Sequence, residues 1–407
     1  MKKVVIAIDS FKGCLTSPEA ETAAAQGVRN VFPECEILCL PVADGGEGMQ
    51  DALIAATGGT RIPVRAHSPL MDMRDTHYGI AGDGQTAFIE MAAISGLPLV
   101  PQGERNPMLT TTFGTGELIR DALERGCRRF IIGLGGSATN DAGLGMLQAL
   151  GFRFLDEAGQ ELGTRHPKGM CGVPKAMCGA LLAEVASVDF SSVHPALKDG
   201  HFTAACDVRN PFIGADGAAA VFAPQKGADP EIVAKLDAGM VKLAEVIRQS
   251  TGKDISSLPG AGAAGGMGGG LSAFLNAELK PGIRLLLDAL RFGERIKGAD
   301  LVITGEGKAD RQTVMGKVPF GILEEAKVQQ IPVILLAGAV EDAELLNQAG
   351  FQGVFSITPL SMTLEQAMNP AFAKQNISRT VEQICRTARC CGNASSEKRD
   401  NTKKAED

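Results

Sequence analysis

Histidine is scarce in this sequence, with five residues in 407. Their spacing matches no zinc-binding pair, so a zinc site is not expected. The ten cysteines form no C-x-x-C pair and several lie beside apolar runs, which favours the reduced thiols of a cytoplasmic protein. Positive charge is also in short supply, because the formal net charge is −7. A nucleic-acid-binding domain would usually carry a basic face, so no nucleic-acid partner is expected.

Long apolar runs are missing as well. The run after the first three residues, 4–8, is too short for the core of a signal peptide. The longest uncharged run, 255–277, contains Pro259 and seven glycines, so it predicts a loop rather than a membrane span. The sequence also lacks the P-loop motif, the protein-kinase motif set and the G-x-S-x-G of simple hydrolases. A cytoplasmic protein without a membrane partner is therefore predicted.

Glycine and apolar residues are abundant instead. The 50 glycines far exceed an average share of about 7%, and they have no collagen-like period. Because they sit among apolar residues, they indicate backbone-lined loops rather than disorder. The chain is 44% hydrophobic, and its length suits two domains with sizeable cores.

Both ends of the chain show the alternation of strand and helix that is typical of a parallel sheet. Near the start, a buried strand is predicted over 3–8, a helix from Ser17 with Pro18 in its first turn, a strand over 36–40 and a helix over 49–56. The same alternation returns after residue 300, with strands over 301–304, 332–336 and 353–356. The predicted fold is α/β, with one Rossmann-like parallel-sheet domain built from both chain ends.

The middle of the chain has a different pattern, with a hairpin over 74–91, strands at 130–134 and 201–206, and a long helix over 230–250. It predicts an inserted mixed α/β domain. The predicted boundaries are 1–66 and 285–385 for the Rossmann-like domain, 67–284 for the insert, and 386–407 for a polar, disordered tail. Because ligands of parallel sheets bind outside the carboxyl ends of the strands, we expect the site in an inter-domain cleft.

One stretch at the end of a predicted strand combines glycines with short polar side chains. Residues 135–141 read Gly-Gly-Ser-Ala-Thr-Asn-Asp and lead into an apolar, helix-like run. Backbone N–H groups at such a helix start can bind an anion. The same residues could equally form a tight turn in which Asn140 or Asp141 caps the helix. The stretch alone leaves both interpretations open.

Three further loops carry charged residues beside glycines. Asp9 and Lys12 follow the first strand, Asp44 follows the second, and the loop from Gly305 to Arg311 mixes both signs of charge. The G-x-G-x-x-G of 260–265 does not follow a strand, so it is weak evidence for a dinucleotide site. Phosphoryl transfer requires an anion cradle, cations and carboxylates to converge, and this chain offers all three. A nicotinamide-dependent hydroxy-acid dehydrogenase and a non-catalytic binding protein for a small anion stay as alternatives.

Seven spaced motifs also resemble those of the type I bacterial glycerate kinases. The motifs are DSFKG (9–13), PVADGGEG (41–48), GLGGSATND (133–141), CDVRNP (206–211), QKGA (225–228), GAGAAGG (260–266) and ADLVITGEG (299–307). The resemblance runs in order to about residue 384, although Lys308 stands where the family usually has arginine. It implies an ATP-dependent kinase that phosphorylates D-glycerate to 2- or 3-phosphoglycerate, with Mg²⁺, in glycerate or glyoxylate metabolism. It also implies the two-domain fold predicted above, while the oligomeric state stays open.

Roles for the candidate residues follow as hypotheses from the resemblance and the chemistry of each loop. Their number is large because the sequence does not rank the carboxylates. The predicted residues are Asp44 as general base and Lys12 for catalysis; Lys12, Arg311 and Ser10 for glycerate; Gly135, Gly136, Ser137, Thr139, Asn140, Gly262, Gly265 and Gly266 for the ATP phosphates; and Glu306, Asp310, Asp141 and Asp207 as unranked Mg²⁺ ligands.

Overall fold

The chain folds as two compact units. The computed structural model describes residues 1–43, 48–164, 175–359 and 362–403, with side chains as far as residue 390. Unit 1 comprises Met1–Asp44 and Leu286–Asp407, and unit 2 comprises Gly45–Leu285.

The described residues form thirteen strands and fourteen α-helices, numbered here in chain order. The strands are β1 Lys3–Ile8, β2 Glu36–Cys39, β3 Thr60–His67, β4 Met73–Ile80, β5 Thr86–Glu90, β6 Arg129–Gly133, β7 Arg153–Leu155, β8 Ser187–Asp189, β9 His201–Ala205, β10 Glu278–Lys280, β11 Leu301–Ala309, β12 Val333–Val340 and β13 Gly353–Ser356. The helices are α1 Ser17–Arg29, α2 Met49–Thr57, α3 Ala92–Ser95, α4 Phe113–Glu124, α5 Leu144–Ala149, α6 Ala218–Phe222, α7 Pro230–Thr251, α8 Ala263–Leu275, α9 Gly282–Ala289, α10 Phe292–Arg295, α11 Val318–Val328, α12 Ala343–Ala349, α13 Leu364–Ala367 and α14 Pro370–Lys403.

Unit 1 is built on a five-stranded parallel sheet with the strand order β13-β12-β11-β1-β2. The first strand lies at an inner position, with Val4 beside Leu301 of β11 and beside Ile37 of β2. Residues 4–8 are all fully buried, which explains why this strand is continuously apolar. The parallel sheet predicted from both chain ends is therefore confirmed.

Helices α1 and α14 pack closely together in unit 1. The start of α1 is as predicted, with Pro18 in the first turn and the Thr16 N–H donating to Glu19 Oε2 at 3.0 Å. A Cβ on Gly27 would lie 2.4 Å from the carbonyl oxygen of Ser378 in α14. Glycine at this position therefore permits the close approach of the two helix backbones.

The helix α14 extends beyond the point at which the composition predicts a disordered tail. It continues to Lys403, through most of the stretch 386–407. Ile377 and Cys385 in its earlier turns are fully buried in the unit 1 core. Packing of these turns offsets the unfavourable free energy of helix nucleation, so each further residue extends the helix at little free-energy cost.

Unit 2 contains a six-stranded mixed sheet with the order β10-β9-β6-β5-β4-β3. The four strands from β10 to β5 are parallel, and β4 and β3 are antiparallel to their neighbours. The predicted mixed α/β insert is therefore confirmed. Its first boundary lies at Asp44 rather than at residue 66, because β3 pairs along its whole length with β4.

Helix α7 of unit 2 follows its sequence signals closely. The structure extends it over Pro230–Thr251, one residue beyond the predicted 230–250. Asp229 caps its start by accepting a hydrogen bond from the Ile232 N–H at 2.8 Å. In the part of the chain that the structure describes, no helix has the length and apolar character needed to cross a membrane.

Candidate functional site

Residues 135–137 lie at the carboxyl edge of the parallel strands of unit 2. They follow β6, which is paired on both sides by the parallel strands β5 and β9. Gly136 is exposed and has a φ of 75°, a conformation that favours glycine. Ser137 is 7% exposed. The solvent-facing part of the predicted anion cradle is thus the short segment from Gly135 to Ser137.

A buried lysine supports this segment from beneath. Lys226 is 1% exposed, and its Nζ donates to Ser137 Oγ and to the Thr139 carbonyl oxygen, each at 2.7 Å. Burial lowers the pKa of Lys226 to about 7, although the nearby Asp141 carboxylate opposes that shift. Two of the three N–H donors of the ammonium therefore hold the loop in place.

Local sequence explains how Lys226 reaches this position. It ends a short 3-10 turn, Pro224–Lys226, and Gly227 follows with a φ of 96°. A Cβ on Gly227 would lie 2.1 Å from the Arg105 carbonyl oxygen, so the turn requires glycine on both steric and conformational grounds. The sequence marked QKGA as a motif, but nothing in its pattern indicated a buried ammonium or its partners.

Thr139 and Asn140, predicted to bind ATP phosphates, are fully buried. Thr139 Oγ1 and Asn140 Oδ1 have no hydrogen-bond partner, whereas Asn140 Nδ2 contacts Met240 Sδ at 3.2 Å. Polar atoms left unpaired in a protein interior are costly and uncommon. The interior side of the loop therefore has two side-chain oxygen atoms that form no hydrogen bond.

Asp141, one of the four predicted metal ligands, is fully buried and engaged by protein donors. Its Oδ2 accepts from the Thr112 N–H at 2.8 Å, the Thr112 hydroxyl at 2.7 Å and the Gly145 N–H at 3.2 Å. Its Oδ1 accepts from the Gly143 N–H at 3.0 Å. Burial raises its pKa, and these hydrogen bonds oppose the rise. The carboxylate fixes the turn into α5, which is the structural interpretation that the sequence had left open.

The glycines of the 260–266 loop, which were predicted to bind phosphate, lie against other protein atoms. A Cβ on Gly262 would lie 2.2 Å from the Pro211 carbonyl oxygen, and one on Gly265 would lie 2.1 Å from that of Thr139. On Gly266 it would meet Met240 Cε at 2.7 Å. The Gly265 carbonyl also accepts from the Ala142 N–H at 3.0 Å. These glycines therefore bring the two loops of unit 2 together.

Glu306 and Asp310 form the main carboxylate cluster of unit 1. The strand β11 continues to Ala309, so Glu306 lies within a strand and not in the loop that the sequence predicted. Glu306 Oε1 accepts from Thr313 Oγ1 at 2.5 Å, and the same hydroxyl oxygen accepts from the Asp310 N–H at 3.1 Å. Lys317 Nζ lies 3.5 Å from Glu306 Oε2 and 4.0 Å from Asp310 Oδ1.

Glu306 is the more deeply buried acid of this cluster. Glu306 is 6% exposed, and burial raises its pKa while Thr313 and Lys317 oppose the rise. Thr313 is fully buried and Lys317 is partly exposed. The sequence did not predict either of them as a site residue, because their spacing gives no sign that one hydroxyl would connect the two acids.

Two further cations of unit 1, Lys308 and the predicted Arg311, lie on the surface beside this cluster. Lys308 Nζ is 3.0 Å from Glu341 Oε1 and 3.6 Å from Asp310 Oδ2. Arg311 Nε is 3.5 Å from Asp342 Oδ2, and its side chain is 73% exposed. Exposed pairs of this kind contribute little to stability, so both cations can change partners when an anion binds.

The turn after β1 carries the remaining candidates. The Ser10 N–H donates to Asp9 Oδ1 at 2.7 Å, and the backbones of Phe11 and Leu15 exchange hydrogen bonds at 2.9 and 3.0 Å. This closed turn presents Lys12 on its exposed side. Asp44, the predicted general base, lies outside the described residues.

No three His, Cys, Asp or Glu side chains converge as a metal site among the residues that the structure describes. Of the four candidates, Glu306 and Asp310 share one cluster in unit 1. Asp207 lies in unit 2, with Oδ1 accepting from the Gly282 N–H at 2.9 Å. Because Mg²⁺ is commonly held by one or two carboxylates together with substrate phosphates, the Glu306 cluster has a suitable donor set.

The chain is similar to known proteins along nearly its whole length. The model of the glycerate kinase family matches residues 4–389. The chain is 45% identical to the glycerate 2-kinase of Escherichia coli over 95% of this chain and 97% of that protein. It is also 45% identical to the glycerate kinase of Halalkalibacterium halodurans, over 90% and 94%. A crystal structure of a putative glycerate kinase 2 from Salmonella typhimurium is similar with a TM-score of 0.83 at 43% identity, covering 96% of this chain and 99% of that one.

Proposed function

Because this chain belongs to the glycerate kinase family, we propose that it transfers the γ-phosphoryl group of ATP to a hydroxyl of D-glycerate. The observation that carries this proposal is the cluster at the carboxyl end of β11. It places Glu306 and Asp310 around the ammonium of Lys317, with further cations beside it. Phosphoryl transfer depends mainly on positioning and electrostatic stabilisation, and this cluster supplies carboxylates for a metal and cations for phosphoryl oxygens.

The residues of unit 1 receive the following roles. Lys12, Ser10 and Arg311 bind the carboxylate of glycerate or the transferred phosphoryl group, since their donors follow the ends of parallel strands. Asp44 accepts the proton of the attacking hydroxyl as general base. Glu306 and Asp310 are the ligands proposed for Mg²⁺, which when bound would neutralise charge on the ATP phosphates.

Within unit 2, the segment from Gly135 to Ser137 is proposed to bind phosphate oxygens. The buried Lys226 holds this segment and adds positive charge beneath it. Thr139, Asn140 and the glycines at 262, 265 and 266 are given a supporting role, because protein atoms already surround them.

The nicotinamide-dependent alternative lacks a place for its cofactor in the G-x-G-x-x-G of 260–265. That motif follows no strand, and its glycines approach the carbonyl oxygens of Pro211 and Thr139. A dinucleotide fingerprint requires glycines that let a pyrophosphate approach a helix start. The packing therefore favours the kinase over the dehydrogenase.

The deciding experiment is an ADP-release assay with ATP, Mg²⁺ and D-glycerate. We expect ADP formation that depends on all three, and no reduction of NAD with glycerate. Turnover that fails with glycerate, or hydride transfer to NAD, would contradict the proposal. Tight binding of glycerate without ATP consumption would instead support a non-catalytic binding protein.

We further propose that the product is 2-phosphoglycerate, because a relative that is 45% identical bears the name glycerate 2-kinase. The phosphorus signal of the product reports this directly. A phosphate on carbon 2 couples to one proton and gives a doublet, whereas a phosphate on carbon 3 couples to two. A doublet supports the proposal, and coupling to two protons contradicts it.

The role of Asp44 is tested with Asp44→Asn. We expect kcat to fall roughly 10²–10⁴-fold because the amide cannot accept the proton. Asp51→Asn is the matched control, since Asp51 lies on α2 and pairs with Arg61 at the surface. Unchanged turnover in a folded Asp44→Asn variant would remove Asp44 as the base.

We place the reaction in the cytoplasm, in agreement with the charge and thiol content of the sequence.

A further inference from the structure

Unit 1 contains a cavity whose described lining residues, apart from Lys12, have no role above. Its volume is about 340 Å³, within the usual range of small-molecule pockets. It lies at the carboxyl edge of the parallel sheet, where Phe11 follows β1, Gly307 lies near the end of β11 and Gly338 lies near the end of β12. Helix α13 and the residues around it close the other side. Ligands of parallel sheets bind at this edge, so the location is that of a binding site.

The lining is mostly apolar, and part of it is exposed to solvent. Phe11, Met362, Leu364 and Met368 line the cavity; Leu364 is 79% exposed and Met368 is 39% exposed. Exposed apolar groups that face a shared concavity are typical of a ligand-binding groove. Methionine side chains in particular adapt to the shape of a bound ring.

Two glycines open the floor of the cavity. A Cβ on Gly338 would lie 2.6 Å from the Gly307 carbonyl oxygen, so β11 and β12 approach each other where only glycine fits. Gly307 also lies beside the turn that carries Lys12, because a Cβ there would be 3.9 Å from the Lys12 backbone nitrogen. Because a Cβ on Gly307 would meet no atom nearer than 3.9 Å, the Gly307 backbone borders open space that a flat group can enter.

One charged side chain is found in the described part of the lining. It is that of Lys12, at the turn after β1. The cavity thus combines an apolar interior with a cation in its wall. Such a combination suits a ligand that has both a large apolar ring and an anionic group.

The reactants of the proposed reaction allow a choice between occupants. Glycerate is a three-carbon acid whose groups are almost all polar, so it has nothing to place in an apolar pocket of this size. The adenine ring of ATP is the one flat, largely apolar group among the reactants. We infer that this cavity of unit 1 binds the adenosine part of ATP, with Lys12 facing its phosphates. The inference rests on the proposed function, which requires ATP.

A tryptophan reporter tests the inference, since the natural chain has none. In Leu364→Trp the indole lies at the rim of the cavity, and we expect a saturable change of its emission when ADP is added without glycerate. Val328→Trp is the matched control, because Val328 is an equally exposed apolar residue of unit 1, 83% against 79%, outside the cavity. ADP should leave its emission unchanged, and glycerate alone should change neither variant.

A second variant fills the cavity. Ala367 lines it and is partly exposed, so Ala367→Phe should weaken binding of a fluorescent N-methylanthraniloyl ADP by about tenfold or more, which is about 1.4 kcal/mol. It should raise KM for ATP and leave KM for glycerate close to wild type. Ala371→Phe, an exposed change on α14 outside the lining, should leave both unchanged.

The outcomes separate this inference from the proposed function. ADP binding at the reporter without any turnover on glycerate would keep the inference and reject the kinase reaction. Turnover on glycerate with a silent Leu364→Trp and normal nucleotide binding by Ala367→Phe would reject the inference alone. An emission change caused by glycerate and not by ADP would assign the cavity to glycerate and would also overturn the inference.

Discussion

The two units carry similar groups at the carboxyl edges of their sheets but hold them differently. In unit 2, Lys226 is 1% exposed and Asp141 is fully buried, each with fixed protein partners. In unit 1, the side chains of Lys317 and Lys308 are 38% and 52% exposed, and both lie within 4.0 Å of the Asp310 carboxylate. Buried charges that lose a partner are strongly penalised, whereas exposed pairs rearrange at little cost. The charges of unit 2 are thus fixed by the fold, whereas those of unit 1 are free to rearrange.

The largest effect is expected where unit 2 is most tightly fixed. Asp141→Ala removes the acceptor of four hydrogen bonds from Thr112, Gly143 and Gly145. Each unpaired buried donor costs about 1–3 kcal/mol, so the free energy of unfolding, measured by urea denaturation, should fall by several kcal/mol.

Asp156→Ala is the matched control for this change. Asp156 also accepts from the N–H groups two and four residues onward, in Ala158 and Gln160, but in an exposed turn. We expect a loss of roughly 1 kcal/mol for it. An Asp141→Ala variant that is as stable as wild type but has lost its Mg²⁺ dependence would contradict the structural role and restore Asp141 as a metal ligand.

The second prediction concerns the cluster of unit 1. Glu306→Gln keeps an acceptor for the Thr313 hydroxyl but removes the negative charge beside Lys317. We expect kcat/KM to fall roughly hundredfold, about 2.7 kcal/mol, with the largest deficit at low Mg²⁺, while stability changes little. Initial rates over a Mg²⁺ titration measure this.

Glu341→Gln serves as the control, because Glu341 pairs with Lys308 at the surface. It should stay within about threefold of wild type in kcat/KM. If Glu306→Gln also stays in that range at every Mg²⁺ concentration, the metal belongs elsewhere and the contrast between the two units fails.

The third prediction uses the pH dependence of Lys226. Its pKa in the folded protein is about 7, whereas an exposed lysine has a pKa near 10.4. Between these values the unfolded chain binds more protons than the folded one, so stability must rise with pH there. One proton gives a slope of at most about 1.4 kcal/mol per pH unit.

Lys226→Met should remove this slope, as measured by urea denaturation between pH 7 and pH 10. Lys253→Met is the matched control, because Lys253 also donates to a backbone carbonyl, that of Ser272, and burial lowers its pKa to a lesser degree. The slope should survive in that variant. An unchanged slope in Lys226→Met would show that another group titrates in this window.

The smallest effect is expected at the surface of unit 1. Lys308→Ala removes a half-exposed partner of Glu341 and Asp310, so Tm should stay within about 2 °C of wild type. Turnover should also be nearly unchanged. A loss of kcat greater than about tenfold would show that Lys308 contacts the substrate. It would contradict the view that the exposed charges of unit 1 rearrange at little cost.

Local patterns predicted much of the fold. The apolar run of β1, Pro18 in the first turn of α1 and the long helix predicted over 230–250 lie within the observed elements, and the predicted bounds agree within a residue or two. Proline, acidic first turns and β-branched runs act over neighbouring residues, which is why these elements can be read from sequence. The parallel arrangement of the chain ends followed from the same alternation.

The partners of the site residues could not be predicted in the same way. Lys226 reaches Ser137 across 89 residues, and Thr112 reaches Asp141 across 29. No spacing rule connects such pairs, because they are joined only by the fold. The glycines at 262 and 265 illustrate the same limit: sequence predicted a close approach to them, but the approaching atoms are carbonyl oxygens of Pro211 and Thr139.

The inner position of β1 has a consequence for synthesis of the chain. Val5 pairs with Val302, so during synthesis β1 waits for a neighbour that is made almost three hundred residues later. At about 5–20 residues per second this delay is roughly 15–60 s. Unit 2 is one continuous segment and can finish folding within that time. Strand β1 therefore gains its second neighbour late, and its apolar residues need protection while the nascent chain grows.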